Sequence, residues 1–308
     1  MSLTKLRIAT RESPLALWQA YFVRDLLTSI KPDLEVEILG FTTKGDRLID
    51  VNLAKVGGKG LFVKELENAL LNNTADIAVH SMKDVPMDAT AGLTMAAICE
   101  RADSRDVLVN NTEYELSAMP AASVIGTSSL RRACQLSARF PELEMKLLRG
   151  NVNTRLKKLD NGEYDAIILA AVGLQRLEFE DRISSYFSVE ESIPAPGQGA
   201  LGVECRLDDL ATIELLQQLH HLASAQCVLA ERVVSRRLGG SCSVPIGAHA
   251  IIADDEIHLH AMLGTPDGHS IIYARALGDR QDPEAVGNRA ADDLMAQGAS
   301  ELLASLKL

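Results

Sequence analysis

The chain has 308 residues, of which 47% are hydrophobic, and a formal net charge of -11. This composition predicts a globular protein of two or three domains and excludes a disordered chain. The negative charge and the 4% aromatic content argue against nucleic acid or an acidic membrane as a partner. No secretion signal opens the sequence, and the longest apolar run, residues 166–172, is too short to span a bilayer, so we expect a cytoplasmic protein.

The five cysteines are scattered along the chain without the paired spacing of a disulfide framework or a zinc motif. Reduced thiols are therefore expected. The histidines also lack a third ligand at fixed spacing, so no metal site is predicted.

The first predicted strand, residues 6–10, leads into a helix through residues that are suited to anion binding. Arg11 follows the strand, and Ser13-Pro14 has the form of an N-cap and a first helical residue for a helix over residues 15–27. Because a helix N-terminus presents free N–H groups and partial positive charge, this junction predicts a carboxylate or phosphate site.

The next strands are predicted at residues 35–41 and 76–80. Between them, the glycine-rich and basic segment 54–60 is typical of a mobile lid, and a helix is predicted over residues 61–71. The second of these strands delivers Lys83 and Asp84 at its carboxyl end, where open α/β sheets bind ligands. A lone aspartate there fits either a turn or a proton-handling group among cations.

The same order of strand, polar turn and helix recurs further along the chain, with strands predicted at residues 123–126, 144–148 and 165–170. Cations lie at the ends of these strands or in the following helical turns, and they are Arg131, Arg132, Arg149, Arg155 and Arg176. A solvated helix face is the alternative, but it would not be interrupted by strands in this way. We therefore interpret the arginines as a site for a polyanion.

These elements predict two α/β domains that form a cleft and a third, small α+β domain with a three-stranded antiparallel sheet. The predicted first domain covers residues 1–99 plus about 200–217, the second 105–193 and the third 222–308. Strands at 248–252, 256–263 and 270–276 and a helix over 283–306 are expected in the third domain.

Cys242 lies on a loop of small residues in the third domain. A helix over residues 225–238 is expected to end at Gly239-Gly240, and Pro245 blocks a return to helix. A thiol presented in this way is accessible, so Cys242 is a candidate tether or nucleophile, with a spectator thiol as the alternative.

Several motifs together resemble the porphobilinogen deaminase family over nearly the whole chain. They are residues 8–16, 56–62, 80–86, 126–132, 149–151 and 197–199. Glu231-Arg232 followed by residues 240–245 resembles the cofactor-attachment signature of the family, with Ser241 where many relatives carry glycine.

This resemblance implies that the first two domains fold like type 2 periplasmic binding proteins and that a dipyrromethane cofactor is joined to Cys242 by a thioether. It also implies a monomer that condenses four porphobilinogen molecules head to tail with release of ammonia, after which water frees the linear product from the retained cofactor. Asp84 would stabilise positive charge on pyrrole nitrogen and transfer protons.

The resemblance assigns the remaining site residues to two groups. The implied cofactor-binding residues are Ser81, Lys83, Thr127, Ser129, Arg131, Arg132, Arg149 and Arg155. The implied substrate-binding residues are Arg11, Ser13, Lys55, Lys59, Arg176 and Gln198. The alternatives from other classes are a non-catalytic anion-binding protein and a redox-sensing regulator that uses Cys242.

Overall fold

The computed structural model describes residues 3–47, 60–112, 114–240 and 244–306. Its strands are β1 Lys5–Arg11, β2 Glu35–Phe41, β3 Ile77–Ser81, β4 Leu93–Ile98, β5 Asp106–Asn110, β6 Val124–Thr127, β7 Glu144–Leu147, β8 Ala166–Ala170, β9 Ser185–Tyr186, β10 Leu201–Arg206, β11 Ile246–Ala253, β12 Glu256–Gly264 and β13 Ile271–Asp279. Its α-helices are α1 Pro14–Ile30, α2 Lys44–Arg47, α3 Lys64–Leu71, α4 Leu130–Arg139, α5 Val152–Asp160, α6 Ala171–Gln175, α7 Leu210–Gln217, α8 Leu222–Arg237, α9 Pro283–Ala296 and α10 Ala299–Ser305. Short 3₁₀ helices lie at Met82–Asp84, Leu116–Ala118 and Glu180–Arg182.

The chain divides into two compact units. Among the described residues, the first unit holds residues 3–47, 60–102 and 200–225, and the second holds residues 103–199 and 226–306. The first unit contains one mixed sheet, and the second contains another mixed sheet together with a three-stranded sheet. The boundaries of the three predicted domains stay a prediction.

The two mixed sheets share one plan. The strand order is β2-β1-β3-β10-β4 in the first and β7-β6-β8-β5-β9 in the second. In each, three parallel strands are followed by a strand that runs antiparallel to both of its neighbours, β10 in the first sheet and β5 in the second. The third sheet, β11-β12-β13, is wholly antiparallel. The predicted architecture of two α/β sheets and a small antiparallel sheet is therefore confirmed.

The predicted helix starts after strand ends are also confirmed. Ser13 caps α1, with Pro14 as its first residue, and Ser129 and Asn151 cap α4 and α5. In each cap a side-chain oxygen accepts a hydrogen bond from a backbone N–H of the first turn. These caps fix where the polar residues between strand and helix lie.

Two predicted helices differ from the structure. Residues 61–63 form a hydrogen-bonded turn after Gly60, which has a left-handed φ of 72°, so α3 begins only at Lys64. The predicted helix over residues 283–306 is broken between α9 and α10, because Gly298 adopts φ 96° and starts a new helix. Among the described residues no helix has the length and apolar character needed to cross a membrane.

Candidate active site

A pocket in the first unit lies at the carboxyl ends of β1 and β3. These strands are parallel neighbours, with Ala9 opposite Ala78, so the residues that follow them meet at one edge of the sheet. The pocket brings together four of the predicted site residues, namely Arg11, Ser13, Ser81 and Asp84. A cation, two hydroxyl groups and a carboxylate therefore line one concavity.

Asp84 is exposed at the end of the 3₁₀ helix that continues from β3. The turn is anchored by buried Met82, whose backbone N–H donates to the carbonyl of Ala200 at 3.0 Å. Lys83, in the same turn, is half-buried and is not a lining residue of this pocket. The arrangement presents the Asp84 carboxylate from a fixed backbone.

Two polar pairs involve residues that line the pocket. Gln19 on α1 donates from Nε2 to Ser81 Oγ at 3.0 Å. His80 Nε2 lies 3.0 Å from Glu204 Oε2, with both residues buried, so the histidine has a partner within the structure. Gln19 was not predicted as a site residue, because an amphipathic helix gives no local signal for one polar residue turned inward.

Arg11 is held by an ion pair and an aromatic ring. Its guanidinium pairs with both carboxylate oxygens of Asp46 and lies 4.4 Å from the centroid of the Phe62 ring. Burial disfavours the charged form of Asp46, but hydrogen bonds from Arg11 and Thr43 outweigh it and lower the pKa of this carboxyl. Neither Asp46 nor Phe62 was predicted to belong to the site.

The second unit contains a buried cluster around Asp106, the first residue of β5. Its two carboxylate oxygens accept hydrogen bonds from Arg131 at 2.7 Å, from Arg132 at 2.8 and 3.0 Å, from Ser192 at 2.8 Å and from Gln198 at 2.9 Å. Burial would raise the pKa of Asp106, but the two guanidinium groups lower it far below its ordinary value. Asp106 is thus a buried anion at the centre of the predicted polyanion site.

This cluster changes the interpretation of Arg131 and Arg132. Both lie in the first turn of α4, where the helix dipole disfavours a cation, and both are buried. Asp106 offsets that cost, but one carboxylate balances only one of two guanidinium charges. Arg131 Nε is also buried without a hydrogen-bond partner in the described part of the chain. The cluster keeps an excess positive charge and an unused donor.

The hydroxyl groups before α4 are organised by local hydrogen bonds. Thr127 Oγ1 accepts from the backbone N–H of Ser129 at 3.1 Å, and Ser129 Oγ accepts from that of Arg132 at 3.4 Å. Each hydroxyl keeps its own proton for another acceptor. Thr127, Ser129 and the two arginines therefore form one group of donors at the end of β6.

The remaining predicted residues of the second unit lie on neighbouring loops and helices. Arg149 is half-buried between β7 and α5, and Arg155 on α5 donates from Nε to the carbonyl of Gly150 at 2.8 Å. Arg176 is buried and donates to the carbonyl of Gly199 at 3.1 Å. Gln198 donates to the carbonyl of Ser104 at 2.6 Å as well as to Asp106. Its described contacts make Gln198 part of the Asp106 cluster.

The loop that carries Cys242 lies partly outside the described residues, as do Cys242 itself, Lys55 and Lys59. Before it, α8 ends at Arg237, close to the predicted end at Gly239-Gly240, and Gly239 has a left-handed φ of 65°. Glu231 on α8 is fully buried and accepts from the backbone N–H groups of Gly197 and Ala250, each at 2.7 Å. Glu231 thereby joins α8, which precedes the loop, to β11, which follows it.

The other four cysteines are buried and form no disulfide with one another, namely Cys99, Cys134, Cys205 and Cys227. Burial raises the pKa of Cys134 to about 12 and that of Cys205 to about 11. Within the described ranges, no three side chains of His, Cys, Asp or Glu are placed to hold a metal ion.

We expect these four thiols to resist iodoacetamide at neutral pH in the native protein, because alkylation requires an accessible thiolate. Peptide mapping by mass spectrometry after native labelling checks this, with the guanidinium-unfolded chain as the control in which all four react. Rapid native alkylation of Cys134 or Cys205 would show that their burial is transient.

The two mixed sheets, with cations and hydroxyl groups at their strand ends, define an α/β protein with candidate sites for a small polyanion. Solved structures with a similar fold include a putative methionine-binding lipoprotein from Bacillus subtilis subsp. subtilis str. 168, at 14% identity and a TM-score of 0.44, over 71% of this chain and 90% of that one. They also include the methionine-binding protein MetQ, at 11% identity and a TM-score of 0.46, over 73% of this chain and 91% of that one. A third is the periplasmic aliphatic sulphonate binding protein SsuA from Escherichia coli, at 13% identity and a TM-score of 0.41, over 76% of this chain and 70% of that one. At these identities nothing about ligands or activity transfers to the chain.

Two family profiles match nearly the whole sequence. Residues 6–214 match the porphobilinogen deaminase dipyrromethane cofactor binding domain, and residues 225–296 match the porphobilinogen deaminase C-terminal domain. The chain belongs to the porphobilinogen deaminase family. It is a transferase with hydroxymethylbilane synthase function in tetrapyrrole biosynthesis, and it uses a dipyrromethane cofactor. The expected enzyme class and cofactor are confirmed.

Proposed function

We propose that the pocket of the first unit binds porphobilinogen and that Asp84 is its proton-handling group. The supporting observation is that Arg11, Ser13, Ser81 and Asp84 line one pocket. Porphobilinogen carries two carboxylates, which suit the guanidinium and hydroxyl donors, and an aminomethyl group that leaves as ammonia. As ammonia leaves, positive charge develops on the pyrrole nitrogen, and a fixed carboxylate stabilises it. Asp84 is exposed within this set, so its carboxylate is accessible to substrate.

We further propose that the dipyrromethane is attached to Cys242 by a thioether. The donor set of Thr127, Ser129, Arg131 and Arg132 fits the cofactor, because its excess positive charge and unused Arg131 N–H match pyrrole carboxylates. Ser81, Lys83, Arg149 and Arg155 complete the proposed cofactor-binding set. When bound, the cofactor supplies the free pyrrole α-carbon to which the first substrate is joined.

The proposed substrate-binding set includes Arg11, Ser13, Lys55, Lys59, Arg176 and Gln198. For Arg176 and Gln198, the described hydrogen bonds to backbone carbonyls and to Asp106 favour a supporting role in which they shape the loop around Gly199. Lys55 and Lys59 lie outside the described residues and stay predictions. A monomeric state, a cytoplasmic location and the absence of nucleic-acid or membrane partners also stay predictions.

We expect the purified chain to release four ammonia molecules for each linear tetrapyrrole formed from porphobilinogen. Ammonia is measured by a coupled assay, and the tetrapyrrole by its absorbance after cyclisation and oxidation to porphyrin. Arg11→Leu, assayed in parallel, should raise KM for porphobilinogen, because the pocket loses its cation. Binding of porphobilinogen without ammonia release, or an unchanged KM for Arg11→Leu, would contradict this assignment of the pocket.

A further inference from the structure

We propose that Asp46 is a positioning residue that fixes the guanidinium of Arg11 for a carboxylate of the substrate. This inference rests on the proposed role of Arg11 in substrate binding. Asp46 belongs to α2, 35 residues along the chain from Arg11, and it does not line the pocket itself. It would therefore act on the substrate only through Arg11.

The contact between the two side chains occupies one edge of the guanidinium. Arg11 donates from Nε to Asp46 Oδ2 at 3.2 Å and from Nη2 to Asp46 Oδ1. Each side chain is 24% exposed, so the pair is shielded from water on most sides. Of the five N–H donors of arginine, this pairing uses two. The other edge, formed by Nη1 and the second Nη2 proton, makes no hydrogen bond to any described residue. It can take a carboxylate in the bidentate geometry that arginine favours.

The carboxylate of Asp46 is itself held in place. Thr43, which is fully buried, donates to Asp46 Oδ2 from its backbone N–H at 3.1 Å and from Oγ1 at 2.7 Å. A carboxylate that accepts these two bonds cannot follow a moving guanidinium without losing them. Asp46 is thus a rigid partner for Arg11.

The Phe62 ring restricts the guanidinium from a second direction. Arg11 lies 4.4 Å from the ring centroid, and the ring packs directly on Gly45, where an added Cβ would come within 2.3 Å of Phe62 Cε1. The backbone N–H of Gly45 donates to the carbonyl of Leu61 at 2.9 Å, which ties α2 to the residue before Phe62. The side chain of Arg11 is therefore set by a carboxylate at its edge and a ring against its face.

Two effects of Asp46 on substrate binding oppose each other. Its negative charge weakens the attraction between Arg11 and an incoming carboxylate, whereas its hydrogen bonds remove the rotamer freedom that a long side chain otherwise loses on binding. The free edge of Arg11 stays available while Asp46 is in place, so Asp46 does not compete for the same donors. We therefore expect positioning to outweigh repulsion, and removal of Asp46 to weaken substrate binding.

The test compares Asp46→Ala and Asp46→Asn with wild-type enzyme loaded with cofactor, as verified by intact mass. We expect KM for porphobilinogen to rise about tenfold or more in Asp46→Ala, with kcat changed by about twofold at most. Asp46→Asn keeps the size of the side chain and one acceptor oxygen, so it should fold even if Asp46→Ala does not, and its KM should rise less.

Asp76→Ala is the matched control, because Asp76 makes a similar two-point pair with Arg7 at 2.8 and 3.0 Å but does not line the pocket. Its KM should be unchanged.

A double-mutant cycle with Arg11→Leu separates the two proposals. If Asp46 acts through Arg11, the double variant Arg11→Leu/Asp46→Ala has the KM of Arg11→Leu alone. An unchanged KM for Arg11→Leu would remove Arg11 from substrate binding and overturn the proposed function of the pocket. A raised KM for Arg11→Leu together with an unchanged or lowered KM for the Asp46 variants would overturn the role of Asp46 alone.

Discussion

Asp84→Asn is expected to purify with a normal cofactor content and to turn porphobilinogen over about a hundredfold or more slowly than the wild-type enzyme. The amide keeps the size of the side chain but has no charge with which to stabilise the cationic pyrrole and no basic oxygen to take up its proton. Because Asp84 is exposed and its turn is anchored by the backbone of Met82, the substitution should leave the fold unchanged. Steady-state turnover and intact mass on the same preparation measure both parts of the prediction.

Asp33→Asn is the control for Asp84→Asn, since Asp33 is an exposed carboxylate in the same unit, outside the pocket. It should change neither turnover nor cofactor content. Near-normal turnover by Asp84→Asn would remove Asp84 from the mechanism. Loss of the cofactor from Asp84→Asn would instead assign the residue to cofactor assembly.

Asp106→Ala is expected to lower the free energy of unfolding by about 3–5 kcal/mol, because it leaves two buried guanidinium groups without their counter-charge. Glu191→Gln is the matched control, since Glu191 pairs with Arg139 at 3.1 Å with both side chains about 40% exposed. An exposed pair contributes only about 0–1 kcal/mol. Denaturant unfolding of the three proteins measures the difference, and similar losses for Asp106→Ala and Glu191→Gln would contradict a structural role for the buried cluster.

The Asp106 cluster also predicts a dependence of stability on pH. The pKa of Asp106 is lowered in the folded chain, so its contribution is fully present above the ordinary aspartate pKa of about 4 and is lost as the pH falls toward the folded pKa. The difference in unfolding free energy between wild type and Asp106→Ala should therefore shrink as the pH falls below about 4. A difference that stays constant down to pH 2 would contradict the prediction, because it would require equal protonation of Asp106 in the folded and unfolded chains over this pH range.

Local signals in the sequence predicted the helices and strands well, but they did not predict which carboxylates pair with the predicted cations. Ser13-Pro14 and the hydroxyl groups before Arg131 mark helix starts after strands, and the structure has helices at both places. The partners of the cations are distant in sequence, since Asp106 lies 25 residues from Arg131 and Asp46 lies 35 residues from Arg11. Hydrophobic periodicity likewise placed Phe62 on a helix, whereas it lies in a turn beside Arg11. Only the pairing of strands brings such residues together. An aspartate at the head of the buried strand Asp106–Asn110 was the one signal that could have indicated a buried ion pair.

We propose that Cys242 anchors the dipyrromethane on which the product is built. The most direct test is the intact mass of the purified chain, combined with a pyrrole colour reaction and repeated on Cys242→Ser. We expect a mass that exceeds that of the unmodified chain by one dipyrromethane, in an adduct that survives strong reductant. Both the adduct and the colour should be absent from Cys242→Ser, which should be inactive. An unmodified wild-type mass, an adduct released by reductant, or an adduct retained by Cys242→Ser would contradict it.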